Sequence, residues 1–555
     1  VLAREVLFFF KTTLRRLQKA VWGHDWLCYD SLAINRGGCN YLIFLLEIVL
    51  MKKNVLALSI AAMVGGLGFA GAAAAAPTFA VNESGTGHIL LAPYYNAQNG
   101  NMSVFHLTNT DTVGKAVKVR FRGASNSDDV LDFQVFMSPG DVWTAAVTAD
   151  ANGLAQLVTS DNTCTLPRIA AGTPVKFVTD RLSKKDWTAA DKAAQTREGY
   201  VEVLAMANIK TNSDLYKAIK HVDGKAPCTS TALNATLNYA PGVDNDNIVA
   251  PTGGLTGAWY VMNVAQTTTF SGSMAAIVAT GDAPVNVFSP QKTGGAQLRT
   301  SDPLMVANVI TAQHYDVPDL STPYTVAGGL AAGQAAADAQ AKALTDAIAR
   351  TSVINQYATD TTISAKTDWV FSMPTRRYSV AANYAAGTAQ AASNNLGWDV
   401  KAPGASFGGG NDAGTSYRLF NTAVSDNIFT ASSSNTTVNT AGQICVEASG
   451  QTFYDREERF QEDGAVFSPG QITKTQLCGE VNVLGFSTDN SALAASVARQ
   501  SVAAPYMNGW GQVNFSAPTP VLGAAFIKLT NPEAAPGTSG TYGITWPHAY
   551  SGSAQ

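Results

Sequence analysis

Short runs that alternate apolar and polar residues, each cut off by turn formers, constrain this chain more than any other feature. AVKVRFRG (Ala116–Gly123) is one. Val117, Val119 and Phe121 fall on one face of an extended chain and Lys118, Arg120 and Arg122 on the other. MSVFHLTN (Met102–Asn109) has the same character, and NGN, TDTVG, NSDD and SPGD stand between such runs. Further along come GLTGAWYVMNVAQTTTFSGSMAAIVA, SYRLFNTAV, EVNVLGFS, GQVNFSAP and AAFIKLTN. The expectation is a mainly β fold of antiparallel β-sandwich-type domains with a few helical insertions. No strict repeat of fixed period runs through it.

Helical character is confined to two places. Ser183 resembles an N-cap ahead of DWTAADKAAQTREG, and SDLYKAIKHV begins at Ser213, which predicts a helical insertion near 183–222. The second is an Ala-rich helix near 330–356, where Leu344, Ala347, Ile348 and Thr351 form a weak apolar stripe. The expected division is a β-rich domain over 77–300 and a second β-rich region over 301–555.

The front of the chain reads as targeting sequence. Met51-Lys52-Lys53 is a positive start, Val55–Ala70 is apolar without charge, and Ala72–Ala76 is a run of small residues before Pro77. That order predicts a secretory signal peptide over 51–76, cut after Ala75 or Ala76; a membrane anchor is the competing interpretation. Residues 1–50, which begin with Val1, are then expected to be an over-extended reading of the gene rather than part of the protein.

Residues 77–555 hold 29 Lys and Arg against 37 Asp and Glu, a net charge of −8. Such a chain lacks the basic footprint that nucleic acid requires. No later run has the length and apolarity of a transmembrane helix, so no span is expected in the mature chain. Charged residues make up only 14% of the sequence, which leaves little self-repulsion to oppose close packing of copies. Four cysteines remain: Cys164, Cys228, Cys445 and Cys478. An even number in an exported chain points to disulfides. The sequential pairing closes the shortest loops and is the one expected, with four buried thiols as the alternative. Zinc is disfavoured, since there is no C-x-x-C or close histidine pair.

Signals for chemistry are weak. GASFG (Gly404–Gly408) matches a nucleophile elbow at Ser406, but Pro403 before it and GGNDAG after it make loop sequence. His88, His106, His221, His314 and His548 show no ligand spacing. YDREERFQED (Tyr454–Asp463) is the densest charge cluster; a salt-bridged edge is the commoner origin of such a run, a carboxylate pair the rarer one. The TRR run at Thr375–Arg377 is likewise expected to pair with nearby acids. Calcium is the one ligand with any support, from Ser125–Asp129 and Asp244–Asn247; Asp150–Gly153 resembles part of an EF-hand loop but has Thr159 where that loop needs Glu, and turn formation is the favoured account of all three.

NTDTVGKAVKVRFRGASNSDDVLDFQVFMSPGDVW, GLTGAWYVMNVA, TDWVFSMPTRRYSV, YDREE and GEVNVLGF resemble stretches of exported cell-surface proteins of Gram-negative bacteria. The resemblance implies export to the cell surface and a surface-layer-like character, and it carries over no site residues. The leading expectation is a non-enzymatic structural protein, forming a homo-oligomer or array, with outer-membrane surface components as a candidate partner. The alternative is a carbohydrate-binding module, with Trp259, Trp369 and Trp510 as candidate stacking residues. A hydrolase has only Ser406 and the acidic cluster behind it.

Overall fold

A computed structural model describes residues 78–280, 344–376, 444–463 and 475–553, leaving aside 126, 180–181, 183–186, 240–243, 487–490 and 498. It also places the isolated strand pieces 315–316, 381–383, 400–401 and 436–438. The described residues belong to one compact unit.

The alternating runs are strands, and they stack as two antiparallel sheets in the first half of the chain. One sheet runs in the order Thr78–Val81, Ala275–Thr280, Ile89–Asn96, Glu198–Ile209, Gly114–Gly123, Asp129–Met137, Cys164–Leu166. The other runs Thr268–Ser273, Leu255–Asn263, Asn101–Asn109, Val142–Ala149, Ala155–Val158, Val175–Lys176. Their facing sides form a sandwich core. Phe121 packs against Tyr95, Phe105 and Phe177 with ring centroids 5.6, 5.5 and 5.2 Å away. The second half repeats the principle. Ile444–Tyr454, Asn508–Pro520, Ala349–Ala358 and Ala549–Ser553 lie side by side in one sheet. Val481–Gly485, Lys366–Ser372, Leu522–Ala535 and Thr538–Pro547 lie in another. Between them Tyr357 stacks on Phe486 at 4.8 Å, beside Trp369 and Phe453.

Both halves share hydrophobic ground: Val370, Val481, Val483, Ala524 and Phe526 complete the core of the first sandwich. A polar clamp reinforces the joint. Glu198 accepts from the Tyr94 hydroxyl (2.8 Å), Gln98 Nε2 (2.8 Å) and the Val497 amide (2.9 Å). Asn96 and Asn101 both donate to the Leu493 carbonyl, at 2.8 and 2.7 Å. Asp368 Oδ2 accepts from the Leu493 amide (2.9 Å) and from the Ser491 hydroxyl. The strap Ser491–Val497 is thus held by carboxylates and amides from both halves.

One expectation is corrected and another is filled out. The Ala-rich helix stops at Ile348, and Ala349–Ala358 is a strand; residues 330–343 lie outside the described residues. Val353, Ile354 and Tyr357 suit a pleated surface, and pairing on both sides outweighs the helix propensity of the alanines upstream. The helical insertion near 183–222 is two short helices, Ala189–Gln195 and Asp214–Ile219, flanking the strand Glu198–Ile209. That strand is buried at every position, so it carries no alternation to read. Lys118, Arg120 and Arg122 do not face water: all are at most 1% exposed. Asp132, Arg120 and Glu202 stand opposite one another across three strands, and Arg120 and Arg122 approach Glu202 at 3.6 and 3.5 Å. Charges this deep persist only where partnered.

The cysteines pair sequentially, Cys164–Cys228 and Cys445–Cys478, across 64 and 33 residues. The first ties the edge strand Cys164–Leu166 to the chain just beyond the helix Asp214–Ile219, beside an apolar cluster of Leu215, Ile219, Phe136 and Ile209. The second joins directly opposed residues of neighbouring strands. For loops of this length the chain-entropy model gives roughly 4 kcal/mol each. The double variant C445A/C478A is expected to lose stability on that scale, read as a lower urea midpoint with a slope that is steeper because the uncrosslinked unfolded chain exposes more surface.

Asp368 generates a second prediction. Burial pushes its carboxyl up to about 6, despite the stabilising bonds from Ser491 and Leu493. The folded state therefore holds the proton more tightly than the unfolded chain does. Stability from this group is full below the ordinary carboxylate range and falls as pH rises from about 4 to about 6. The loss is on the order of 3 kcal/mol. Asp368→Asn is expected to abolish that pH-dependent loss, measured as unfolding midpoints at pH values spanning the interval; an unaltered profile would refute the assignment.

Candidate functional site

The outward face of the six-stranded sheet is the most unusual surface among the described residues. Strand Asn101–Asn109 alternates strictly, with Phe105 and Leu107 inward and Met102, Val104, His106 and Thr108 outward. Leu255–Asn263 turns Trp259 and Val261 inward and Ala258, Tyr260 and Met262 outward. Register then sets the outward residues in rows. Ser271, Tyr260, Val104, Ala146 and Val158 lie side by side across five strands. Ser273, Ala258, His106 and Thr144 form the next row, and Thr256, Thr108 and Val142 the one after. These rows hold no Lys, Arg, Asp or Glu.

An antiparallel sheet with one face in water normally carries charge there. Here charge stands at the margin. Asp161 accepts from the Thr144 amide at 3.1 Å, and Lys176 pairs with Asp150 at 2.9 Å at the far edge. The centre is apolar or hydroxylated: Val142 is 41% exposed, and the Tyr260 hydroxyl bonds His106 Nε2. A neutral middle within a polar rim is the layout of a protein contact surface.

The residues singled out in the sequence scatter. Ser406 and His314 lie outside the described residues, as do residues 1–77 with the proposed signal peptide. Trp259 and Trp369 are core, at 2% and 0% exposure, whereas Trp510 is 37% exposed beside a surface cleft. His548 is buried: its Nε2 contacts the Val370 carbonyl and its Nδ1 the Asn355 amide, both at 2.8 Å. Burial drives its pKa down to about 4, against the raising effect of the bond to Val370. His88 is likewise lowered to about 4, by burial and then by Lys115. His221 stands 3.7 Å from Asp141.

The oxygen clusters behave as turns. Asp150 Oδ1 accepts from the Asn152 and Leu154 amides, and Asn245 Oδ1 from those of Asn247 and Ile248. Among the described residues no group of three or more His, Cys, Asp or Glu is arranged to hold a metal ion. Asp455, in the acidic run, caps its own turn: Oδ1 accepts from the Glu457 and Arg459 amides, both at 2.9 Å, and Oδ2 from Arg459 Nε. Burial opposes its ionisation, but those donors together hold it below the usual carboxylate range.

Sequence reasoning marked the alternating strands but not the outward set as a surface. The signal was present, since every second residue of MSVFHLTN and of LTGAWYVMN is uncharged. Joining those residues into rows needs the register. No family model, no curated protein and no solved structure matches this chain.

Proposed function

We propose that this is an exported, non-catalytic structural protein of the cell surface, which associates with further copies of itself through the outward face of the six-stranded sheet. The observation that carries this reading is the charge-free set of rows centred on Val104 and Tyr260. A second copy suits that face better than a charged partner does. It offers no charge to complement, and two identical neutral faces meet without repulsion. Five strands about 4.8 Å apart and about 20 Å of strand length make a patch that removes on the order of 1,000 Å² from water when two copies meet. That is the lower bound for a specific contact, adequate where each copy makes several contacts at once, as in an array. Two disulfides agree with an oxidising compartment. Among the described residues no helix is long and apolar enough to cross a membrane.

Sedimentation velocity over a broad range of protein concentration tests the contact, and electron microscopy of the cell envelope tests the array. The wild-type protein is expected to form concentration-dependent multimers. Val104→Lys combined with Ala146→Lys places like charge on every copy and is expected to leave folded monomers, with an unfolding midpoint lowered slightly by the two opposed lysines. A monomeric wild type, or multimers that survive both lysines, would remove this reading.

A further inference from the structure

A cleft of about 620 Å³ opens in the second half of the chain, where one strand loses its neighbour. Strand Ala349–Ala358 pairs with Asn508–Pro520 along nearly its full length, but with Ala549–Ser553 only as far as Ile354. Beyond that point the incoming chain belongs to the other sheet, in which Trp546 pairs with Ala525. The exposed backbone is met by side chains: Trp369 Nε1 donates to the Gln356 carbonyl at 2.8 Å, and Thr367 Oγ1 lies 2.9 Å from the Ala358 amide and 2.8 Å from its carbonyl. The edge is thus closed to a further strand and left as the floor of a groove.

Tryptophan walls that groove. Trp510 stands between Tyr454 on one neighbouring strand and Gln356 on the other. Its ring stacks on Tyr454 with centroids 4.2 Å apart and planes within 7°, and Phe460 backs Tyr454 at 5.9 Å. A ring held upright in this way has one face covered, and the opposite face points over Gln356 into the cleft. Trp546, 47% exposed, lines the same cleft. Its backbone is fixed by Asn355 Nδ2, which donates to the Trp546 carbonyl at 2.9 Å. Gln356, Asn508 and Arg456 supply polar groups at the rim.

We infer that this cleft is a binding site for neutral saccharide chains, held between the free faces of Trp510 and Trp546. A pyranose ring presents an apolar C–H face that lies against an indole, while its hydroxyls both donate and accept. The side-chain amides of Gln356 and Asn508 also do both. A proline-rich peptide satisfies the aromatic walls equally well but brings few donors for the amide carbonyls. The volume lies within the roughly 300–1,000 Å³ typical of small-ligand sites. Cleavage is not the role. A glycoside hydrolase needs two carboxylates across the bond, and among the described residues the one carboxylate lining this cleft, Asp455, is committed to its own turn.

The full-length exported protein, titrated with cellotetraose, maltotetraose, mannotetraose and polysaccharide stripped from the producing cell's own envelope, tests the inference by tryptophan fluorescence and calorimetry. Tetragalacturonate and a ten-residue polyproline peptide serve as competitors of other chemistry. Saturable binding of at least one neutral saccharide is expected. Trp510→Ala and Trp546→Ala should each weaken it at least tenfold, with Tyr542→Ala, exposed on the same sheet outside the cleft, unchanged. Binding of the stripped polysaccharide assigns the site to attachment, and binding of the defined oligosaccharides alone assigns it to a foreign glycan; both uphold the site. Preference for polyproline or the uronate, no saturable binding of any neutral saccharide, or binding indifferent to both tryptophan substitutions overturns it. All three substitutions are at exposed side chains, so unfolding midpoints within error of wild type separate loss of site from loss of fold.

Discussion

The grip on the strap Ser491–Val497 is the interaction on which the arrangement of the two halves depends. Glu198 sits on the central strand of the first sandwich, and Asp368 on a central strand of the second. Each accepts backbone amides of the strap, and Asn96 and Asn101 take the Leu493 carbonyl between them. Leu493 itself is 1% exposed within the shared core. Buried carboxylates are costly, and the donors that offset part of the cost reach these two only when strap and both sheets are in register. Hydrophobic contact alone tolerates sliding; a carboxylate with a fixed set of donors does not. The clamp therefore converts an apolar contact into a single geometry.

How far the sequence reveals this fold follows from where water reaches. Strands with one wet face, such as Met102–Asn109, announce themselves by alternation. Glu198–Ile209, buried on both sides, mixes Glu198, Glu202 and Asn208 into an apolar run without clean alternation, between two helical stretches, and it is the element that organises the sheet. Gly114–Gly123 alternates well, yet its polar side is buried as an ionic row, because alternation reports chemical type and not exposure. The stretch before Ala349 shows the opposite failure. Alanine propensity extends a helix across residues whose fate is set by partners 150 or more positions away in Asn508–Pro520 and Ala549–Ser553.

The candidate sites differ in legibility for the same reason. The neutral face of the six-stranded sheet is implicit in the low charge of its strands, and only the rows are hidden. The cleft is less accessible to sequence reasoning. Tyr454, Phe460, Trp510 and Trp546 come from four strands, and nothing local separates Trp510 from Trp369, which is core. What separates them is the parity of one strand against its partners: Trp510 stands opposite Gln356 on the wet side, and Trp369 faces inward beside Phe486. The cysteines were legible because short loop closure needs no register to be argued.

The neutral face belongs to the first sandwich and the tryptophan cleft to the second, so the strap between them bears on how the two proposed activities combine. A flexible joint would let each cleft sample many orientations, and a lattice of such chains would behave as independent weak binders. A joint fixed by Glu198 and Asp368 sets every cleft at a constant angle to the lattice face. Clefts repeated at one orientation and one spacing meet a polysaccharide as an ordered row, and weak individual contacts then sum with little further loss of freedom. On this view the burial of two carboxylates at the joint, unfavourable for stability taken alone, is what makes a modest sugar site effective: its strength lies in the geometry between copies more than in any single cleft.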